Sequence, residues 1–126
     1  MQVTESGIVL YTIAYDECVT FYERVLELPV IYRKPMLTCF QLGDSYLMVE
    51  VDDESGESAV GPARRDRFCL RLNVPDVQAA CMHLETHDVP YDLGEHDWGT
   101  VAKFRDPDGN LVAFRSAAEH EADRGD

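Results

Sequence analysis

The chain has 126 residues and a formal net charge of −13, from 24 acidic and 11 basic side chains. This length suits one domain, or two small modules that share a core. The negative charge repels phosphate backbones and anionic lipid, so nucleic acid and membranes are not expected partners. No apolar run approaches the roughly eighteen residues that span a bilayer.

The four cysteines, Cys18, Cys39, Cys69 and Cys81, are scattered through apolar stretches with no C-x-x-C spacing. Reduced thiols in such surroundings behave as small apolar side chains. The first residues also lack the basic and apolar regions of a signal peptide. The sequence therefore predicts a cytoplasmic protein without a disulfide framework.

The first half of the chain predicts the order β-α-β-β-β. Residues 8–14 are rich in β-branched and aromatic side chains, which is typical of a strand. Residues 15–28 change to a helical period and should end before Pro29, because the residue before a proline avoids helical geometry. The apolar positions of this helix are Cys18, Phe21, Tyr22 and Val25. Strands are predicted at 30–32, 37–42 and 46–51.

The second half repeats this order after a linker at 53–66, whose composition is acidic, then rich in Ser and Gly, then basic. A strand at 68–74 precedes a helix with Asp76 as its N-cap. The segment Val89-Pro90-Tyr91 then matches Leu28-Pro29-Val30, and each segment is predicted to end a helix and start a strand. Strands at 101–104 and 111–115 complete the repeat. The predicted modules are residues 6–52 and 67–116, and the acidic tail at 117–126 is predicted to be disordered.

A tight turn joins the last two predicted strands. Pro107 has the preset φ that a type I turn needs, and Gly109 and Asn110 tolerate positive φ. The stretch 106–109 is therefore predicted to reverse the chain into a hairpin.

An internal repeat of about 60 residues decides the fold class. A single module of this kind would leave one face of its sheet uncovered, whereas two modules can cover each other. We therefore expect an α+β protein of two βαβββ modules, in which a mixed, cup-shaped sheet carries helices on its outer side.

Several motifs lie in this order along the chain: Phe21-Tyr22-x-x-Val25-Leu26-x-Leu28-Pro29-Val30, Asn73-Val74-Pro75-Asp76-Val77, Trp98-Gly99 and Phe104-x-Asp106-Pro107-Asp108-Gly109-Asn110. Together they resemble the vicinal oxygen chelate superfamily, which includes glyoxalase I, extradiol dioxygenases, fosfomycin-resistance enzymes and bleomycin-resistance proteins. The resemblance covers residues 7 to 115 and implies the paired βαβββ fold.

The resemblance also implies where metal-using members carry their four ligands. Those positions fall here on Gly7, Met48, Cys69 and Ala113. Glycine and alanine have no donor atom, and a thioether is a poor ligand for a hard divalent ion. A register slip would bring Glu50 to the second position, since it lies on the same face of the strand as Met48, but Glu50 and Cys69 alone are too few. We therefore expect neither a metal nor another cofactor.

The histidines do not supply a replacement site. His83 and His87 have the i, i+4 spacing of metal ligands, but the apolar stripe of the second helix leaves them toward solvent. His96 is predicted in a loop and His120 in the tail. No Ser or Cys can be paired with a His by position, so no catalytic residue is predicted. Cys69 is the nearest candidate nucleophile, and a buried, inert thiol is the favoured interpretation.

Family strand orientation implies that one set of side chains lines the cup. The predicted ligand-binding residues are Tyr11, Tyr46, Met48, Glu50, Cys69, Arg71, Trp98 and Ala113. Glu50 and Arg71 either pair with each other or bind a cationic group and a carboxylate or phenolate, respectively. Trp98 is either a structural lid or a surface on which an aromatic ligand stacks.

These features favour a homodimeric protein that binds or sequesters a small, cationic or aromatic molecule without a metal, rather than an enzyme. One alternative is a metal-dependent lyase, isomerase or dioxygenase of the same superfamily with a displaced ligand set that includes Glu50. The other is an interaction domain with a filled cup and no ligand.

Overall fold

The computed structural model describes residues 2–52, 69–97 and 99–123. The chain forms two compact units, Met1–Ala59 and Val60–Asp126, called here the N-terminal and C-terminal units. The predicted linker at 53–66 and the residue Trp98 lie outside the described residues, as does the end of the tail.

Residues 2–52 of the N-terminal unit form four strands and one α-helix. The strands are β1 (Gly7–Thr12), β2 (Val30–Lys34), β3 (Leu37–Leu42) and β4 (Ser45–Val51), and the helix α1 (Tyr15–Thr20) lies between the first two. The sheet order is β1-β4-β3-β2, with β1 parallel to β4 and the other neighbours antiparallel. A connection that contains a helix is what a parallel pair requires.

The core of this unit lies between the sheet and its helical segment. Phe40, Leu47 and Val49 are completely buried, as is Tyr22. The rings of Tyr22 and Phe40 are 6.3 Å apart between centroids. The hydroxyl of Thr12, also buried, accepts a hydrogen bond of 2.8 Å from the Ala14 backbone N–H and lies 3.4 Å from the Cys18 sulfur. These contacts define the helix-covered face of the sheet.

The sequence predicts one helix over residues 15–28, but the α-helix ends at Thr20 and continues as a π-helical turn. After α1, Phe21–Val25 forms a π-helical turn, in which the Leu26 N–H bonds to the Phe21 carbonyl at 3.0 Å. This wider turn coincides with two consecutive buried aromatic side chains, Phe21 and Tyr22. Glu27 then adopts a left-handed φ of 57° and ends the helical segment before Pro29.

The C-terminal unit repeats the same topology. Its strands are β5 (Leu70–Val74), β6 (Asp92–His96), β7 (Gly99–Arg105) and β8 (Leu111–Ser116), and α2 (Val77–Thr86) follows β5. The order β5-β8-β7-β6 again joins a parallel pair, β5 with β8, to an antiparallel hairpin. The Asp76 carboxylate caps α2 as predicted, because it accepts hydrogen bonds from the backbone of Gln78 and Ala79 at 3.0 and 3.1 Å.

The predicted turn at 106–109 forms with the buried carboxylate of Asp106 at its centre. That carboxylate accepts hydrogen bonds from the backbone N–H of Asp108 (2.9 Å) and Asn110 (2.8 Å) and from the Asn110 side-chain amide (2.9 Å). Gly109 takes a positive φ of 86°, as its position in the turn demands. The turn therefore fixes the register between β7 and β8.

The tail is predicted to be disordered, but its described part forms a helix, α3 (Ala117–Asp123). The hydroxyl of Ser116 accepts a hydrogen bond of 3.2 Å from the Glu119 N–H, which caps the helix start. The Glu119 carboxylate in turn accepts one of 3.3 Å from the Thr100 N–H. These bonds attach α3 to β7 and β8.

The structure confirms the α+β class with two βαβββ modules of identical strand order. Within the described residues, no helix combines the length and apolar character needed to cross a membrane.

Candidate functional site

Each sheet has a second face, opposite its helix, which we call the open face. In the N-terminal unit, β4 alternates buried Leu47 and Val49 with the partly exposed Tyr46, Met48 and Glu50. The latter three side chains therefore lie on the open face. The parallel register places Val9 beside Met48 and Tyr11 beside Glu50.

The ring of Tyr46 packs over the Cα of Gly7, its register partner. A Cβ built at Gly7 would overlap the ring atoms Cε1, Cδ1 and Cζ of Tyr46. Any residue with a side chain at position 7 would have to displace this ring. Glycine allows this close packing of the ring, and the first metal-ligand position implied by the sequence resemblance is both without a donor and covered.

Tyr11 and Glu50 lie at the exposed end of the same face. Tyr11 is 60% exposed although it lies on a strand, and its register partner Glu50 is only partly buried. A carboxylate beside an exposed phenol ring can receive a cationic group while the ring packs on an aromatic one. Glu50 and Met48 share a face, as the alternation of β4 predicts.

A further tyrosine, Tyr32, joins this face and was not predicted as a site residue. Tyr32 pairs with Cys39, and the register of β2 shifts between Val30 and Tyr32. The pKa of Tyr32 is raised by partial burial of its phenol and then by the neighbouring Cys39 and Tyr46. Because the shift in register changes which side chains share a face, strict alternation along β2 could not have revealed Tyr32.

The open face of the C-terminal unit has a different chemistry. The register aligns Arg71, Ala113 and Lys103 across β5, β8 and β7, with the alanine in the middle. A second row aligns Asn73, Arg115 and Val101. Ala113 is 1% and Arg115 is 4% exposed, whereas Arg71 and Lys103 are exposed. Lys103 was not predicted, although period-two alternation through the hairpin places it opposite Ala113.

Cys69 directly precedes β5 and is the one exposed cysteine of the chain. Its pKa is raised because the thiol is partly removed from water, and this outweighs the lowering by Arg71, Lys103 and Arg105. A raised pKa keeps the thiol mostly protonated near neutrality and slows its reactions. The predicted burial of Cys69 is wrong, because the residue is exposed at the start of β5.

The donor atoms on the described residues do not fit the metal site of metal-using relatives. Gly7 and Ala113 offer no donor, and Met48 offers only a thioether. In residues 2–52, 69–97 and 99–123, no three His, Cys, Asp or Glu side chains are grouped to hold a metal ion. The rings of His83 and His87 are close, 4.8 Å between centroids, but they lie at the end of α2, on the helix side of their own unit and not on its open face.

The structure also corrects the assignment of His96. His96 is not in a loop but ends strand β6, where it pairs with Gly99. The short connection between β6 and β7 allows the strand to continue to this residue. Trp98, the remaining predicted site residue, is outside the described residues.

A pocket of about 270 Å³ lies in the C-terminal unit, between the start of α2 and α3. Its charged groups already have structural roles, because Asp76 caps α2 and Glu119 accepts a hydrogen bond from Thr100. The open faces are therefore better candidates for ligand contacts.

Comparison with known proteins gives one family match. Residues 6–114 match the model of the Glyoxalase/Bleomycin resistance protein/Dioxygenase superfamily. No curated protein matches the chain by sequence.

Similar solved structures include a lactoylglutathione lyase from Agrobacterium tumefaciens, with 20% identity, a TM-score of 0.70, and coverage of 93% of this chain and 96% of that one. TnmS3, an antibiotic binding protein from Streptomyces sp. CB03234, has 20% identity, a TM-score of 0.71, and coverage of 92% and 98%. A bleomycin-binding protein complexed with bleomycin has 19% identity, a TM-score of 0.67, and coverage of 90% and 98%. At these identities the likeness concerns the fold.

Proposed function

Because the chain belongs to the Glyoxalase/Bleomycin resistance protein/Dioxygenase superfamily, we propose that it binds and sequesters a small aromatic or cationic molecule without a metal ion. The open face of each sheet, taken by itself, is a candidate surface for ligand contacts. The family contains both metal-using enzymes and proteins that only bind a ligand, so the residues at the site decide between these classes.

The observation that carries the proposal is the packing of Tyr46 on Gly7. A metal-dependent member needs a donor at this point, but here an aromatic ring fills the space in which a ligand side chain would lie. On the last strand of the C-terminal unit, Ala113, at the fourth implied ligand position, has only a methyl group. Two positions without donors leave too few ligands for an open catalytic metal site.

The composition of the N-terminal open face supports an aromatic or cationic ligand. Tyr11, Tyr32 and Tyr46 offer three phenol rings on one face, and Glu50 adds a carboxylate beside Tyr11. Flat rings provide contact area, and the carboxylate supplies attraction for positive charge. Two similar proteins support the binding role, since one is described as an antibiotic binding protein and another was solved with bleomycin bound.

Metal analysis of purified protein, followed by titration of metal-stripped protein with bleomycin, tests the proposal. We expect less than stoichiometric Ni, Zn, Fe or Mn, and saturable quenching of the single tryptophan or a saturable heat of binding. A stoichiometric bound metal whose removal abolishes ligand binding would overturn the metal-free mechanism.

The variant Glu50→Gln tests whether the Glu50 carboxylate contacts the ligand. We expect it to weaken binding of bleomycin by about tenfold, the order of one lost charged hydrogen bond. The matched control is Glu17→Gln, which removes the same charge from an exposed position on α1. Equal affinity of both variants would remove Glu50 from the site. The homodimer stays a prediction. Sedimentation equilibrium tests it, because this method measures the molecular mass in solution.

A further inference from the structure

The basic side chains of the C-terminal unit are distributed unevenly over its sheet. Within 69–97 and 99–123, the Lys and Arg residues are Arg71, Lys103, Arg105 and Arg115. Register and alternation put all four on the open face and none on the helix-covered face. This concentration contrasts with the net charge of −13 of the whole chain.

Two of these cations flank a small, buried residue. Ala113 is the register partner of Arg71 on one side and of Lys103 on the other. Since neighbouring strands lie about 5 Å apart, the Cα atoms of Arg71 and Lys103, which are two strands apart, are separated by about 10 Å. Ala113 itself is 1% exposed, whereas Arg71 and Lys103 are exposed, so the two cations and not the alanine present the surface of this row.

Neither cation is held in a salt bridge with a described residue. Among the described residues, Arg71 and Lys103 form no salt bridge, in contrast to Arg33, which contacts Glu23 at 2.7 Å. The acid nearest in register is Asp92, the partner of Lys103 on β6. Arg105 differs from both, because its guanidinium donates a hydrogen bond to the Gly109 carbonyl in the turn.

The positive charges of this face also affect the nearby thiol of Cys69. Partial burial raises the pKa of the Cys69 thiol, and Arg71, Lys103 and Arg105 each lower it by a smaller amount, so these three cations act on the thiol from nearby. Cys69 precedes Leu70, whose partner Val112 adjoins Ala113 in sequence. The thiol is therefore a natural reporter of the potential over this face.

We propose that the open face of the C-terminal unit is an anion-binding subsite, in which Arg71 and Lys103 hold a carboxylate, sulfate, phosphate or phenolate group of a small ligand. The inference rests on the proposed small-molecule function and specifies the ligand as one that carries negative charge at one end. Guanidinium and ammonium groups are the side chains that bind such oxyanions most strongly.

Alkylation of Cys69 by a charged and a neutral reagent tests the subsite without a known ligand. Iodoacetate is an anion and iodoacetamide is not, while both react with the same thiolate. The ratio of their rate constants therefore cancels any effect of the cations on the thiol pKa. Peptide mass spectrometry assigns the modification to Cys69, since Cys18, Cys39 and Cys81 are buried.

We expect the iodoacetate to iodoacetamide ratio at Cys69 to exceed that of N-acetylcysteinamide, a neutral model thiol. Arg71→Gln and Lys103→Gln should each lower the ratio about two- to threefold at low salt, the effect of one unit charge at several ångströms in water. Arg24→Gln, which removes an exposed cation from the other unit, should leave it unchanged. Sodium sulfate should lower the ratio more than sodium chloride of equal ionic strength.

A ratio at or below that of the model thiol would overturn the proposal, since the global negative charge would then dominate at this face. The same holds if Arg71→Gln and Lys103→Gln behave like Arg24→Gln. These results do not depend on bleomycin binding or metal content, so failure of the subsite and failure of the proposed function are distinguishable.

Discussion

Glu27 and Asp88 occupy equivalent left-handed positions, with φ of 57° and 58°, at the helix ends of the two units. In each unit the next residue donates its backbone N–H back to the helix, Leu28 to the Tyr22 carbonyl and Val89 to the Leu84 carbonyl, both at 3.0 Å. A side chain in this conformation is strained, whereas glycine is not. The internal repeat therefore includes two equivalent strained helix ends.

Asp88→Gly is expected to stabilise the protein, because it relieves this strain. We expect a gain of about 0.5–1 kcal/mol in the free energy of unfolding, measured by urea denaturation. Asp88→Ala and Asp88→Val should each reduce stability, with valine the worse because β-branched residues tolerate positive φ least. An Asp88→Gly variant less stable than Asp88→Ala would contradict the assignment.

Gly7→Ala is expected to destabilise the protein, because its Cβ would overlap the ring of Tyr46. Overpacking of this kind costs about 1–3 kcal/mol. In the background Tyr46→Ala, the same change should cost less than about 0.5 kcal/mol, since the obstructing ring is gone. A double-mutant cycle by chemical denaturation measures this coupling, and additive effects of the two changes would be inconsistent with the contact.

Asp106→Ala is expected to be among the most destabilising changes in the C-terminal unit. It leaves two backbone N–H groups and the Asn110 amide without their acceptor in a buried turn. We expect a loss of about 2–4 kcal/mol in unfolding free energy, measured by thermal and urea denaturation. Asp44→Ala, in the exposed turn between β3 and β4, is the control and should change stability by less than about 0.5 kcal/mol.

Tyr91 is expected to give the protein a pH dependence in the alkaline range. Its hydroxyl donates a hydrogen bond to the Glu85 carboxylate, which raises the pKa of Tyr91 from 10.0 to about 12. Because the folded-state pKa is the higher one, the stabilisation is complete below pH 10 and is lost as pH rises toward 12.

The stability difference between the wild-type chain and Tyr91→Phe should therefore narrow over this interval. Absorbance titration of the phenolate measures the pKa itself, and Glu85→Ala should return Tyr91 toward its ordinary value. Tyr15→Phe serves as the control, since the Tyr15 hydroxyl contacts Thr38 rather than a carboxylate. A Tyr91 pKa that is the same with and without Glu85 would disprove the link.

Much of the fold follows from sequence periodicity and turn chemistry. The helix cap at Asp76, the hairpin turn at Asp106 and the strand β4 all lie where the sequence predicts them. The π-helical turn after Thr20 and the helix α3 were missed, because both depend on contacts that are distant in sequence. Glu119 lies in an acidic tail by composition, but its bond to Thr100 becomes visible only once β7 is in place.

The candidate site was predictable only in part, for a related reason. Alternation correctly groups Tyr46 with Met48 and Glu50, because β4 is regular. Tyr32 follows a register shift, so counting residues from Val30 does not assign it to a face. To predict that Lys103 lies beside Ala113, one needs the register of the β7–β8 hairpin as well as the alternation along β7.

The position of β4 and β8 in their sheets determines the order in which the chain can fold as it is synthesised. Each is the last strand of its unit, yet each lies between two others, β4 between β1 and β3, and β8 between β5 and β7. The apolar strand β1 thus leaves the ribosome long before its partner and has no neighbour until residues 45–51 have emerged. A nascent chain interrupted before that point would expose β1 to chaperones and proteases, because parallel pairing waits for the most distant segment of the unit.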